Sequence, residues 1–405
     1  MLNDIKDFSP HRICRERSLV EQMLEAQEFE QAKFKSFGWM KSLICLSIDK
    51  TPTSATARSN GKHMDTCFVL HEVEADLFDA KHFQYATISY PWHPAPYESG
   101  RCVDFRIRKL DGEECASVVR DTIIRRAVNF TRHYDMKGFW IDRQCLDQED
   151  PEKHQIAMHS MDRLYAESPC SVGILTSKVD HQWQLDALTA LVDGSLFQGA
   201  DQETVIHFPP SLETTSFRRV LRWFSCLLSD PWWQRCWIFQ EEYCAAWNMV
   251  ILIPCEPSLT RHNPSFGTMR SEIEISAIDL RTQLTIFCLA CQRDARLDRE
   301  QKNVVQRNIL RKAERYQISY EYGRYRGHTL SSIIMADLQR RQITYPRDSL
   351  AISANCCTYG RRLDEEALEQ QDDISLGLSL FVQALLNGEI LDNQKHTRQA
   401  PQRLR

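Results

Sequence analysis

No window of this chain approaches 18 uninterrupted apolar residues, and its first twenty, MLNDIKDFSPHRICRERSLV, lack the apolar centre of a secretory signal. The first absence argues against a membrane-spanning helix, and the two together predict a cytoplasmic protein without a membrane partner. An excess of positive charge is missing as well: the formal net charge is -5, which argues against a nucleic-acid partner. There is no phosphate-loop pattern, no HExxH and no GxSxG, so the familiar signatures of nucleotide-binding ATPases, zinc proteases and serine hydrolases are absent. Internal repeats are absent too. The fifteen cysteines are odd in number and scattered singly through apolar segments, which reads as buried reduced thiols rather than a disulfide framework. Cys288 and Cys291 have CxxC spacing, but they lie on a helical pattern with no second pair nearby, so no metal site is expected.

What is present is an ordinary globular composition, 42% hydrophobic and 26% charged over 405 residues, long enough for one large domain with appended helices or two unequal domains. Leu19, Met23, Ala26 and Phe29 trace an apolar stripe that predicts a helical leader over 16–50, followed by an exposed loop at 51–62, TPTSATARSNGK; together they form an N-terminal unit, 1–62. From 63 to 255, strand patterns at 65–73, 84–90, 139–142, 170–176 and 248–253 are interleaved with helical patterns at 116–134, 150–166, 217–228 and 230–244. Val103, Phe105 and Ile107, alternating before Asp111-Gly112, signal a short hairpin. Residues 178–212 have weak periodicity and read as an insertion. The alternation predicts an α/β fold with a mostly parallel, doubly wound sheet. Beyond 255 strand signals nearly vanish. Residues 256–405 read as a mostly helical region whose apolar stripes, at Ile286 and over 376–386, need cover from the core, and the polar tail 394–405 is expected to fray.

Residues 230–244, DPWWQRCWIFQEEYC, open with a capping Asp230 and with Pro231 at the first helical position. On one continuous helix Trp233, Trp237 and Glu241 stand four residues apart and share a face, which sets a carboxylate beside apolar surface. Such surroundings raise a carboxyl pKa and strengthen its attraction for a cation, although a glutamate on an amphipathic helix is usually solvated or salt-bridged. Residues 89–93 and 140–150 follow the ends of two predicted strands, where α/β sheets bind ligands. Trp140 and Trp233 read as core. Asp142 suits a cap or buried ion pair as well as a role in orienting a loop. His93 is a lone histidine, and the arginine pairs 340–341 and 361–362 read as solvated.

Taken in order, three segments resemble the signature blocks of the fungal heterokaryon-incompatibility (HET) domain: YATISYPW, FWIDRQCLDQEDPEKHQIAMHSMDRLYAESP and DPWWQRCWIFQEEYCA. TYPRDSLAISANC, at 344–356, is similar to a Pro-Arg-Asp segment that follows that domain. The chain departs from the family pattern at His93, where glycine is common, and at Arg143 and Gln144, where a small or apolar pair is common. The HET domain is in turn distantly similar to the Toll-receptor-like (TIR) domain, a flavodoxin-like fold whose enzymatic members hydrolyse NAD with one helix-borne glutamate. That resemblance implies Glu241 as the catalytic group and Ser89, Tyr90, Trp92, Asp142, Arg235, Trp237 and Gln240 as substrate-binding residues, with NAD as the substrate, no cofactor and no metal. The chemistry is self-consistent: nicotinamide in NAD is already a cationic leaving group, so one carboxylate that stabilises the oxocarbenium-like ribose can suffice. The resemblance further implies non-self recognition and programmed cell death. The alternative is a non-catalytic module of the same fold that self-associates or docks a signalling protein.

Overall fold

The computed structural model describes residues 18–32, 36–48, 68–76, 83–197, 207–209, 213–307, 331–339, 341–369 and 374–389. The loop expected at 51–62, the tail at 394–405, Arg340 and part of the expected insertion lie outside them.

Eleven strands are found among these residues: β1 Glu30–Ala32, β2 Leu43–Ser47, β3 Phe68–Ala75, β4 Tyr85–Ser89, β5 Phe105–Arg108, β6 Glu114–Ala116, β7 Gly138–Ile141, β8 Cys170–Ile174, β9 Met249–Pro254, β10 Glu272–Ser276 and β11 Arg361–Leu363. Nine of them form one mixed sheet in the order β10-β9-β8-β4-β7-β2-β3-β5-β6, and β1 pairs with β11 separately. The centre of the large sheet, β9-β8-β4-β7, is parallel throughout. Numbered along the chain, those four strands lie in the order 2-1-3-4, the winding of flavodoxin-like sheets, whose topological switch point falls between the first and third strands, here β4 and β8. β4 and β7 are buried along their whole lengths, as central parallel strands must be when helices cover the sheet. One polar pair crosses this apolar centre, the Thr87 and Ser171 hydroxyls at 2.6 Å. The α/β class and the positions of these strands follow the sequence pattern closely.

Five expectations are corrected. The run before residue 50 is not continuously helical: a capped helix, Leu19–Glu28, gives way to β2, which joins the main sheet between β3 and β7. The sheet continues past residue 255 with β10, EIEIS, whose glutamates hid the strand; Glu272 is paired with Arg126 at 2.7 Å and Glu274 accepts from the Tyr134 hydroxyl. The helix expected over 150–166 is two, Pro151–Met158 and Met161–Glu167, separated at His159-Ser160 where the His159 ring reaches Glu365 and Arg362. Arg341 and Arg362, read as solvated, are buried; the region read as an insertion contains the helix Gln182–Val192.

The C-terminal helices close on the sheet unit. Asp348–Cys356 packs against the helices Cys236–Ala245 and Met161–Glu167, and Leu376–Leu386 packs against Leu19–Glu28, bringing the two ends of the described chain together.

Candidate functional site

The site is assembled at the carboxyl edge of the parallel centre. β4 ends at Ser89, because the next residue but one, Pro91, has no amide to offer a ladder. The loop that follows is held by one buried arginine: Arg120 donates to the carbonyls of Pro91 at 2.8 Å and Trp92 at 2.6 Å and pairs with Glu98 at 3.1 Å. Its neighbour Asp121, at the start of the helix Asp121–His133, accepts from the amides of Val103 and Asp104 and fixes the far side of the loop. Trp92 is thereby set so that its indole N–H donates to Asp142 Oδ2 at 2.5 Å. Asp142 begins the short helical turn Asp142–Cys145 after β7, and its other oxygen accepts from the Arg143 amide at 2.6 Å.

The third block is not one helix. Asp230 and Pro231 start a 3-10 turn, Pro231–Gln234; Arg235 is extended; and the α-helix begins only at Cys236 and runs to Ala245. The break comes from what Asp230 does. Its buried carboxylate accepts from the Trp232 amide at 3.0 Å and from the amides and hydroxyls of Thr176 and Ser177 at 2.7 to 2.9 Å, so it anchors the block to the end of β8. Five donors compensate the desolvation of that charge. The Trp232 ring then packs against β8 at Gly173, where an added Cβ would come within 2.7 Å of it, and its N–H donates to Ser89 Oγ at 3.0 Å. A tryptophan thus fills the switch point between β4 and β8.

Arg235 donates to the Tyr90 carbonyl at 3.3 Å and stands over the Trp92 ring at 5.0 Å. From the helix beyond it, Glu241 reaches the same place. The residue is 8% exposed, and the buried Oε2 has no hydrogen-bond partner. Burial first, and the Asp142 charge second, push its pKa up to about 7, against the opposing pull of the Ser89 hydroxyl, Arg235 and the Tyr165 hydroxyl. Asp142 keeps part of its surface in solvent, but its carboxyl is enclosed by Trp92, Tyr90 and Arg235; burial raises its pKa, and the Trp92 N–H and Arg235 counter that. Burial also pushes the Tyr90 phenol well up, and its hydroxyl sits beside Asp142 without closing a hydrogen bond. Two carboxyls therefore face each other across a single neutralising cation, Arg235.

Ser89, Tyr90, Trp92, Asp142, Arg235 and Glu241 are brought together. Trp237 and Gln240 are turned elsewhere. Trp237 donates to Asp348 at 2.8 Å, and Gln240 Oε1 accepts from Asn355 at 3.0 Å while its buried Nε2 has no partner, so both side chains are held against the C-terminal helix Asp348–Cys356. The shared face of Trp233 and Trp237 is lost with the continuous helix; Trp233 is core, its N–H on the Leu227 carbonyl at 3.1 Å, and Trp140 is core beneath Tyr165. Three contributors were not singled out from sequence. Arg120 sits in no motif, Tyr165 read only as an inward helix residue, and Asp230 read only as a cap. His93 is exposed. Cys288 and Cys291 are buried free thiols, and no cluster of metal-binding side chains occurs among the described residues.

Residues 85–241, from the first residue of β4 to the buried glutamate itself, match the family model described as heterokaryon incompatibility protein (HET). This segment is a HET domain. No curated protein and no solved structure matches the chain. The HET domain contributes β4, β7 and β8 and every residue assembled at the carboxyl edge. β9 and β10 on one side of the sheet, and β2 and β3 on the other, lie outside the matched segment.

Proposed function

We propose that this heterokaryon-incompatibility-type protein hydrolyses the N-glycosidic bond of NAD or a closely related nucleotide, and that this activity drives a cell-death response in the cytoplasm. The observation that carries the reading is the Glu241 carboxyl: nearly buried, lacking a partner on Oε2, and aligned with Asp142 at the carboxyl edge of a sheet wound 2-1-3-4. An orphaned buried acceptor has a cost that a ligand hydroxyl can offset. The same winding and a helix-borne glutamate at the sheet edge support the comparison with TIR-type NAD hydrolases.

In the proposed reaction the bond from ribose C1′ to the pyridinium nitrogen breaks, and its electron pair neutralises the nitrogen, so nicotinamide leaves without an acid. Ionised Glu241 stabilises the ribosyl oxocarbenium from a distance that water cannot screen. A water adds to C1′ and gives its proton to one of the two carboxylates, then to solvent. The products are nicotinamide, ADP-ribose and a proton.

The test is nicotinamide release by the full chain, dilute and then concentrated, beside Glu241→Gln. Loss of a well-placed charge is expected to cost two to three decades of rate, about 3 to 4 kcal/mol, with the fold intact. Full activity in the variant sinks the reading. One observation favours a non-catalytic module that self-associates or docks a signalling protein: Trp237 and Gln240, both within the third block, are spent on internal contacts. Absence of nicotinamide release at every concentration, with cell death still provoked, would select that alternative.

A further inference from the structure

Arg143 stands beside Trp92 at the edge of this site. It is exposed, its guanidinium lies over the Trp92 ring at 5.4 Å, and only its backbone amide is engaged, by Asp142. Among the described residues its guanidinium makes no hydrogen bond and no ion pair. The contrast with Arg235 is sharp: that cation donates to Tyr90 and is the one charge that draws down both Asp142 and Glu241. Trp92 is itself fixed by Asp142, so Arg143 rests on a rigid platform and keeps its fork of donors free.

The site therefore presents two groups of opposite kind that no internal partner occupies. Glu241 Oε2, buried and unpartnered, requires a hydrogen-bond donor. Arg143, exposed and without an internal ion pair, is open to an anion. One molecule that meets both carries a sugar hydroxyl and a phosphate joined to it. We propose that Arg143 is the phosphate-binding, specificity-determining residue of this site, selecting nucleotides whose reacting ribose bears a 5′-phosphate over the corresponding nucleosides. This rests on the glycosidase reading for the identity of the reacting ribose, but phosphate binding itself does not depend on turnover.

The test is calorimetric titration of the full chain with ADP-ribose, in wild type, Arg143→Gln and Arg143→Lys, with thermal unfolding curves in parallel. Arg143 is exposed, so both variants are expected to melt as wild type does. Losing a charge-assisted phosphate contact is expected to weaken ADP-ribose about tenfold or more in Arg143→Gln, while Arg143→Lys retains most of the affinity and loses it as salt is raised. Equal affinity in wild type and Arg143→Gln, or no ADP-ribose binding by wild type, overturns the assignment. Arg143-dependent binding without nicotinamide release leaves the assignment standing and removes the hydrolase. Nicotinamide release with ADP-ribose affinity indifferent to Arg143 does the reverse.

Discussion

Glu241 shows how a site can work against the stability of the fold that holds it. Its folded pKa of about 7 lies above the ordinary value of 4.5, so the native state holds this proton more tightly than the unfolded chain does. The sign follows directly: the contribution is fully present below about pH 4.5 and is lost as pH rises through about 7. Its size is roughly 3 kcal/mol, set against neighbours that include Asp142, Arg235, Ser89, Tyr90 and Tyr165. Denaturant unfolding between pH 5 and 8 is therefore expected to show wild type losing stability where Glu241→Gln does not. The proposed reaction needs the ionised form, so nicotinamide release should rise across the same interval. A parallel pH slope in the two proteins would show that Glu241 is not the titrating group.

Among the elements, the third block depends on Asp230 more than on its own helix propensity. Asp230→Ala removes five hydrogen bonds and leaves the Thr176 and Ser177 donors unpaired at the end of β8, an expected loss of about 3 kcal/mol or more in equilibrium unfolding. Gly173 is the second support. A methyl there meets the Trp232 ring at 2.7 Å and Ile251 Cδ1 at 2.8 Å, so Gly173→Ala should cost about 1 to 3 kcal/mol and shift Trp232 off Ser89. Activity falling further than stability in that variant would indicate that Trp232 positions Ser89 against Glu241. A silent Gly173→Ala would show that the switch point has room to spare.

Across the whole molecule, the α/β unit and the C-terminal helices are joined by buried polar contacts rather than by a tether. Gln240 meets Asn355, Trp237 meets Asp348, and Arg362 reaches both His159 and Asn355. Limited proteolysis of the full chain should accordingly yield no pair of independently stable fragments; recovery of two would contradict this packing. A second internal staple joins the site helix to the helix Ala277–Arg293, where the buried Glu242 carboxylate pairs with Arg281, itself 4.6 Å from the Trp233 ring. Glu242→Ala removes the carboxylate paired with that buried guanidinium and should cost about 3 to 5 kcal/mol in chemical unfolding. The apolar double replacement Glu242→Leu with Arg281→Met should recover most of the loss, because a buried pair is worth far less than a broken one.

What the sequence by itself determined is the material that depends on neighbours along the chain. The alternation of strands and helices, the blocks at 89–93 and 140–150 at the ends of two strands, and the cap at Asp230 are local patterns and were legible as such, whereas Arg235 and Glu241 joined the site only through the resemblance to the HET and TIR domains. The tertiary structure decided which side chains face the carboxyl edge of the sheet. Asp230 is spent on Thr176 and Ser177, 53 or 54 residues away, and that contact interrupts the helix that local spacing predicts. Gln240 and Trp237 are claimed by a helix more than a hundred residues further on. β10 was hidden because Glu272 is paired with Arg126 and Glu274 accepts from the Tyr134 hydroxyl, partners from a distant helix and its C-cap that no window of sequence contains. Periodicity reports only which faces of an element are apolar. The partners of buried polar groups come from elsewhere in the chain, and at this site they separate the groups left for a ligand from those already spoken for.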